Sequence, residues 1–159
     1  MKKIIALSLA LVMALALFTG CSDPVADEFT NYMNVEMVDV NANYTKITEE
    51  VSNWQNLADD AALKKSIEEV LLPLVEDSLA KVNAIVLETE EVNNIRAKYV
   101  SVMEAYKAGF AAIAASIPNA DQAKYAEGEA KLTEGIALLE EYNAALEELA
   151  ASIGAEIQY

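Results

Sequence analysis

Any chemistry in this chain rests on carboxylates, tyrosines, lysines and serines. The 159 residues hold 26 Asp plus Glu, 11 Lys plus Arg, seven Tyr, no His and one Cys. The lack of His removes His general bases, catalytic triads that use His, and di-iron Glu-x-x-His bundles. A lone Cys removes an internal disulfide framework, thiolate zinc sites and Cys-x-x-Cys redox motifs. The remaining groups form no catalytic spacing, so the expectation is a non-enzyme with no cofactor and no metal site; a carboxylate- or Tyr-based enzyme is the remote alternative. Met33, Met37 and Met103 sit on apolar stripes, where Met ordinarily fills gaps and does not ligate haem. No Asp-rich loop with the Gly of an EF-hand occurs, which leaves only weak, bridging binding of divalent cations. A formal charge of -15 with no basic patch argues against nucleic acid as a partner.

The acids carry the clearest pattern. Glu127, Glu134, Glu141 and Glu148 recur every seven residues, with Glu140 and Glu147 beside them, so they line the outer face of the last helix. Glu127 has Lys131 at i+4, and no base follows Lys131. Glu147 and Glu148 therefore oppose the helix dipole without compensation. In an up-down bundle Asp23, Asp27, Glu28, Glu88, Glu90, Glu91, Glu147, Glu148 and Glu156 gather at one end, with Lys81, Arg96 and Lys98 as the nearby bases. Glu88, Glu90, Glu91, Glu147 and Glu148 form the candidate interaction patch. A solvated face is the commoner meaning of such a charge run; a docking surface for a cationic protein, a basic polymer or divalent cations is the sharper one.

Other singled-out residues point to packing. Tyr44, Tyr99, Tyr106 and Tyr142 fall on apolar stripes, which predicts core rings with hydroxyls at the edge. Asn143 shares heptad register with Ile136 and Ala150, as a buried amide that fixes register would. Gly109 and Gly128 lie almost equally far from Pro118 and should face each other across a helix pair. Close backbone approach is the plainer reading, and a small ligand groove, hence a solute-binding bundle, is the alternative.

These residues need helices to position them. Ala, Leu, Glu and Lys dominate, Gly and Pro are scarce, and strand-like alternation is absent. One stripe runs Val25, Phe29, Met33, Met37, Val40, Tyr44, Ile47, Val51, Trp54, and a second runs Leu63, Ile67, Val70, Leu74, Ser78, Val82, Ile85, with Pro73 predicting a kink or short break. Thr89 reads as the N-cap of a third helix that Pro118 stops, and Asn119 with Gln122 reads as a capping box for a fourth, ending at Gly154. The predicted fold is all-α, an antiparallel up-down four-helix bundle over residues 24–159, each helix roughly 40 to 50 Å long.

Ahead of this lies MKKIIALSLALVMALALFTG, with Lys2 and Lys3, an apolar run from Ile4 to Phe18 interrupted only by Ser8, then small residues. That is a signal-peptide layout, and ~15 apolar residues fall short of the ~20 that span a bilayer comfortably. The single Cys21 follows Leu17-Phe18-Thr19-Gly20 directly. This resembles the lipobox of bacterial lipoproteins, with Phe18 where Leu is usual. The resemblance implies cleavage after Gly20 and a diacylglyceryl group on Cys21, dividing the chain into a leader 1–20, a linker 21–23 and the bundle 24–159. Loss of the leader takes two Lys and no acid, leaving 139 residues and a charge of -17. Two acyl chains suffice for stable anchoring. The layout, closing on Glu140-Glu141-Tyr142-Asn143 to Leu146-Glu147-Glu148-Leu149-Ala150, is similar to small helical lipoproteins of Gram-positive bacteria, some of which carry a cell-wall-binding label. It implies a lipid-anchored protein on the extracytoplasmic face of the cell membrane, a binding or structural module whose partners are envelope proteins or cell-wall components. No functional residue beyond Cys21 follows from it.

Overall fold

Asp23 opens the first helix by accepting the Val25 amide at 2.9 Å, and Pro24 presets the first turn. The computed structural model describes residues 14–17 and 23–158. Helix α1 (Pro24–Asn31) passes through a π-turn at Tyr32–Glu36 into α2 (Val38–Asn53), which a 3-10 turn at Trp54–Asn56 closes. The sequence explains the π-turn. Val25, Phe29, Met33 and Met37 step by four three times, and each such step overshoots a 3.6-residue turn by ~40°. One wider turn takes up that lag, so Phe29, Met33, Met37 and Val40 all stay buried, and it draws Tyr32 into the core as well.

The next run repeats the device. Asp59 caps α3 (Asp60–Ser66) through the Ala62 amide at 2.8 Å, and a π-turn at Ile67–Leu71 leads into α4 (Leu72–Ala84). Leu63, Ile67, Leu71 and Val75 are again spaced by four, and all are buried. This corrects the expected stripe: Val70 is 38% exposed and Leu74 half-buried, because the wide turn hands their places to Leu71 and Val75. Pro73 follows as an early residue of α4, where its missing amide is best tolerated, so the expected break takes the form of the π-turn.

Helices α5 (Glu90–Ser116) and α6 (Gln122–Ser152) are long and regular, joined by a 3-10 turn at Ile117–Asn119. The cap of α6 is Asp121, which accepts the Lys124 amide at 3.0 Å, and not the expected Asn119, which lies inside the turn. Gly154, at φ 70°, ends the helix in the left-handed conformation expected of it. Beyond it β2 (Ala155–Gln158) pairs antiparallel with β1 (Ala14–Leu17), a short strand pair that the all-helical expectation did not include. Ala155 and Ile157 alternate with Glu156 and lean on the core.

Gly109 and Gly128 do face each other. A Cβ on Gly128 would lie 2.6 Å from Ile113 Cγ1 and 2.8 Å from the Gly109 carbonyl, and one on Gly109 would meet Leu132 at 2.7 Å. The crossing is backbone against backbone, with Leu132 and Ile113 occupying the space that a ligand groove would need. Gly135, unremarked in the sequence, makes room for the Tyr106 ring. Pairs Gly109–Gly128, Tyr106–Gly135 and Tyr99–Tyr142 run in opposite directions along α5 and α6, which are thus antiparallel. Asn43 with Ser78 and Trp54 with Ser66 set α2 against α3 and α4 likewise, as do Lys107 with Glu76 and Arg96 with Ile85 for α5 against α4. By length and composition Glu90–Asn119 could cross a membrane, but half of its apolar window is buried within the fold.

Candidate functional site

The end of the molecule where the body begins is built around one carboxylate. Glu28, on the first turns of α1, accepts the Glu88 amide at 2.6 Å, the Thr89 amide at 2.9 Å and the Thr89 hydroxyl. Thr89 therefore sits at the N-cap of α5 but gives its hydroxyl to Glu28 and makes no side-chain cap of its own. Asn93 steadies the same loop by donating to the Leu87 and Thr89 carbonyls at 3.1 and 2.8 Å. Desolvation pushes the Glu28 carboxyl up, but the hydrogen bonds from Glu88 and Thr89 together outweigh it and hold it below its ordinary value.

Beside this clasp Glu88, Glu90 and Glu91 are exposed, as are Glu147 and Glu148 near the end of α6. Among the described residues no ion pair reaches Glu88, Glu90, Glu91 or Glu148. Two of the three bases expected nearby are engaged elsewhere: Lys81 binds Asp77, and Arg96 donates to the Ile85 carbonyl at 2.8 Å. Lys131 pairs with Glu134 at 2.7 Å, not with Glu127 as its spacing suggested. Glu90 and Glu91 suit the positive start of α5, whereas Glu147 and Glu148 stand in the closing turns of α6, where the dipole opposes them. Glu28 was grouped with the free acids in the sequence; in the fold it is a structural tie.

The tyrosines are deeper than expected. Tyr32, Tyr99 and Tyr106 are fully buried, with Tyr142 1% and Tyr44 4% exposed, so the hydroxyls lie inside the core and not at its edge. Tyr99 meets Tyr142 edge-on with centroids 5.2 Å apart, and Tyr44 stacks on Tyr106 at 6.5 Å. The hydroxyl oxygen of Tyr99 and the Oδ1 of Asn41 are buried without a hydrogen-bond partner. Burial pushes the pKa of all five core tyrosines up, well above the ordinary range for Tyr99 and Tyr142. Tyr32 escaped sequence reading because only the π-turn brings it inward. Asn143 is half-buried as a residue, with its amide oxygen buried as its register suggested.

Two polar contacts between the first two helical runs were also missed. Asn43 donates to Asp77 at 2.7 Å and to Ser78 at 3.3 Å, and hydrogen bonds from Lys81 and then Asn43 hold the Asp77 carboxyl below its usual range. Farther along, the Trp54 indole donates to the Ser66 hydroxyl at 3.1 Å, which donates to Glu50 at 2.6 Å. Hydroxyls at core positions, Ser66 and Ser78, were the available signal. Among the described residues no group of three acids is placed to hold a metal ion.

Cys21 and most of the leader lie outside the described residues, as does the lipobox apart from Leu17. No curated protein and no solved structure matches the chain. Residues 27–154, from the first turns of α1 to the Gly154 stop, match the family described as uncharacterised lipoprotein PM1805. A lipoprotein family implies a lipid anchor in a membrane, in line with the resemblance at Gly20-Cys21. The match covers most of the chain, which therefore belongs to the uncharacterised lipoprotein PM1805 family.

Proposed function

We propose that this lipoprotein is a non-enzymatic binding or structural module of the cell envelope, held by lipid on Cys21 at the extracytoplasmic face of the membrane after loss of residues 1–20. The observation that carries the reading is the Glu28 clasp. Ser22 and Asp23 alone separate Cys21 from Pro24, so α1 starts beside the anchor, and Glu28 ties that start to the α4–α5 loop. Glu88, Glu90 and Glu91 then ride at the lipid end. The antiparallel register of α5 and α6 carries Glu147 and Glu148 toward the same end, where anionic lipid headgroups repel them. Such an end suits a cationic envelope protein or wall component better than the bilayer itself. The pairwise antiparallel contacts support an up-down bundle of four helical runs over residues 24–152.

The alternatives have less to stand on. The solute-binding reading loses its groove to Leu132 and Ile113 at the glycine crossing. An enzyme would have to use carboxylates that are solvated or tied into structural bonds, or tyrosines enclosed in the core.

In-cell cross-linking of the full-length protein, read by mass spectrometry, tests anchor and partner together. Recurrent links from Lys81 or Lys98 to one envelope protein, lost in Glu147→Lys/Glu148→Lys while folding is retained, are the expected result. Links confined to the chain itself would reduce the patch to a solvated face. Cys21→Ser should release the protein from the membrane fraction, and unchanged fractionation with a processed leader would overturn the anchor.

A further inference from the structure

We propose that a second surface, the groove between α2 and the α3–α4 run, binds a short peptide segment of a partner protein that combines Lys or Arg with apolar side chains. Its floor is made by the residues that the π-turn at Ile67–Leu71 displaces from the core. Val70 is 38% exposed, Pro73 is exposed and Leu74 half-buried, and together they line an open groove of about 620 Å³. The wall opposite is α2, with Lys46, Glu49, Glu50 and Asn53, and Glu69 closes the rim. A π-turn inside a helix is commonly a functional feature, and here its effect on the surface is to replace a sealed helix pair with an apolar floor.

Charge complementarity selects the occupant. Three carboxylates face one lysine at the groove, on a chain whose overall charge is -15. Lys65 lies 3.7 Å from Glu69, but both are well exposed, and such a pair competes weakly with a bound cation. Glu50 is already oriented, since Ser66 donates to it at 2.6 Å and Trp54 holds Ser66, so the rim needs little ordering when a basic side chain arrives. A second copy of the chain would bring its own excess of negative charge, and an anionic lipid headgroup would meet the same repulsion.

Position fits a protein partner. Glu50 lies 27 residues beyond Asp23 along α1 and α2, or ~40 Å by helix rise, which carries the groove away from the anchor into the envelope space. The inference uses the anchored reading only to place the groove, so its failure leaves that reading standing.

The probe is a fluorescent hexapeptide alternating Lys with Leu, added to the full-length protein in phosphatidylcholine nanodiscs and followed by anisotropy against empty nanodiscs. Saturable binding should weaken about tenfold in Val70→Asp and in Glu49→Lys/Glu69→Lys. Glu140→Lys/Glu141→Lys, on the exposed face of α6 and outside both the groove and the acidic end, should bind as the natural protein does, and circular dichroism should show all three variants folded. Equal binding of a peptide with Ser in place of Leu, or equal loss in the Glu140/Glu141 variant, would overturn the groove in favour of general charge attraction. No binding at all would overturn it outright. A dimer in sedimentation that Val70→Asp dissolves would overturn it in favour of a second copy as the occupant.

Discussion

The two halves of this protein solve the same problem by different means. In the α5–α6 hairpin, two long unbroken helices approach so closely that glycine backbones touch, and the fit is set by Gly109, Gly128 and Gly135. The α1–α4 half is interrupted twice by π-turns and joined by polar contacts, Asn43 to Asp77 and Trp54 through Ser66 to Glu50. The hairpin has no slack at its glycine crossing. The other half keeps a displaced apolar floor at Val70 and Leu74, and it is there that a partner finds room. Regular packing builds the scaffold, and irregular turns expose what the scaffold can offer.

The largest effect should come from breaking the hairpin. Gly128→Val places a branched side chain where even a Cβ would lie 2.8 Å from the Gly109 carbonyl, a backbone atom that cannot swing aside. A loss of about 3 kcal/mol in denaturant unfolding is expected. Gly109→Ala should cost less, because its nearest neighbour is the end of the Leu132 side chain, which can rotate. Equal losses at the two glycines would mean that the helices slide apart, and that the close crossing is not the rigid feature described here.

The tyrosine core, which joins the halves, should respond with the opposite sign. Removing the buried, unpartnered hydroxyl in Tyr99→Phe takes away a desolvation cost and leaves the ring, so a gain of about 1 kcal/mol is expected. A loss of similar size would mean that a bound water satisfies that hydroxyl. The alkaline limb gives an independent reading. The folded pKa of these tyrosines is raised, so the folded state keeps them neutral where the unfolded chain ionises, and stability falls as pH rises through and above the ordinary value of 10.0. Tyrosinate absorbance from the five core rings should thus appear together with loss of helix, after that of the partly buried Tyr125.

Much of the hairpin was legible in the sequence. The stripe through Ile95, Tyr99, Val102, Tyr106, Phe110 and Ile113 keeps helical spacing, and the equal distance of Gly109 and Gly128 from Pro118 shows that they meet. Less of the other half was visible. A stripe read at three-and-four spacing assigned Val70 and Leu74 to the core, because periodicity alone does not reveal that a run of four-residue steps is absorbed by a π-turn. The acidic end was legible as composition, but the Glu28 clasp was not, since a carboxylate meeting amides sixty residues away leaves no local spacing. The groove was invisible for the same reason as the π-turn that creates it.

A smaller effect is expected at the clasp. Glu28→Gln keeps the shape but replaces charge-assisted acceptance of the Glu88 and Thr89 hydrogen bonds by neutral ones, at about 1 kcal/mol near neutral pH. The folded carboxyl is held below its ordinary value of 4.5, so its contribution is complete above that value and disappears as pH falls through the folded one. The natural protein and the variant should therefore converge in stability in acid. A difference that persists at low pH would assign the loss to altered packing.

The smallest effect is the one that most sharply separates the halves. Val70→Ser should change stability by less than about 0.5 kcal/mol, because a residue 38% exposed on the outside of a π-turn gives up little buried area. Leu71→Ser, one residue along and fully buried, should be severely destabilised by cavity and hydroxyl together. In an uninterrupted helix continuing the three-and-four stripe the ranking would be reversed, with Val70 inside. Equilibrium unfolding of the pair thus reads the register of the π-turn directly, and with it the existence of the groove floor: only if Val70 is dispensable to folding is it available to something else.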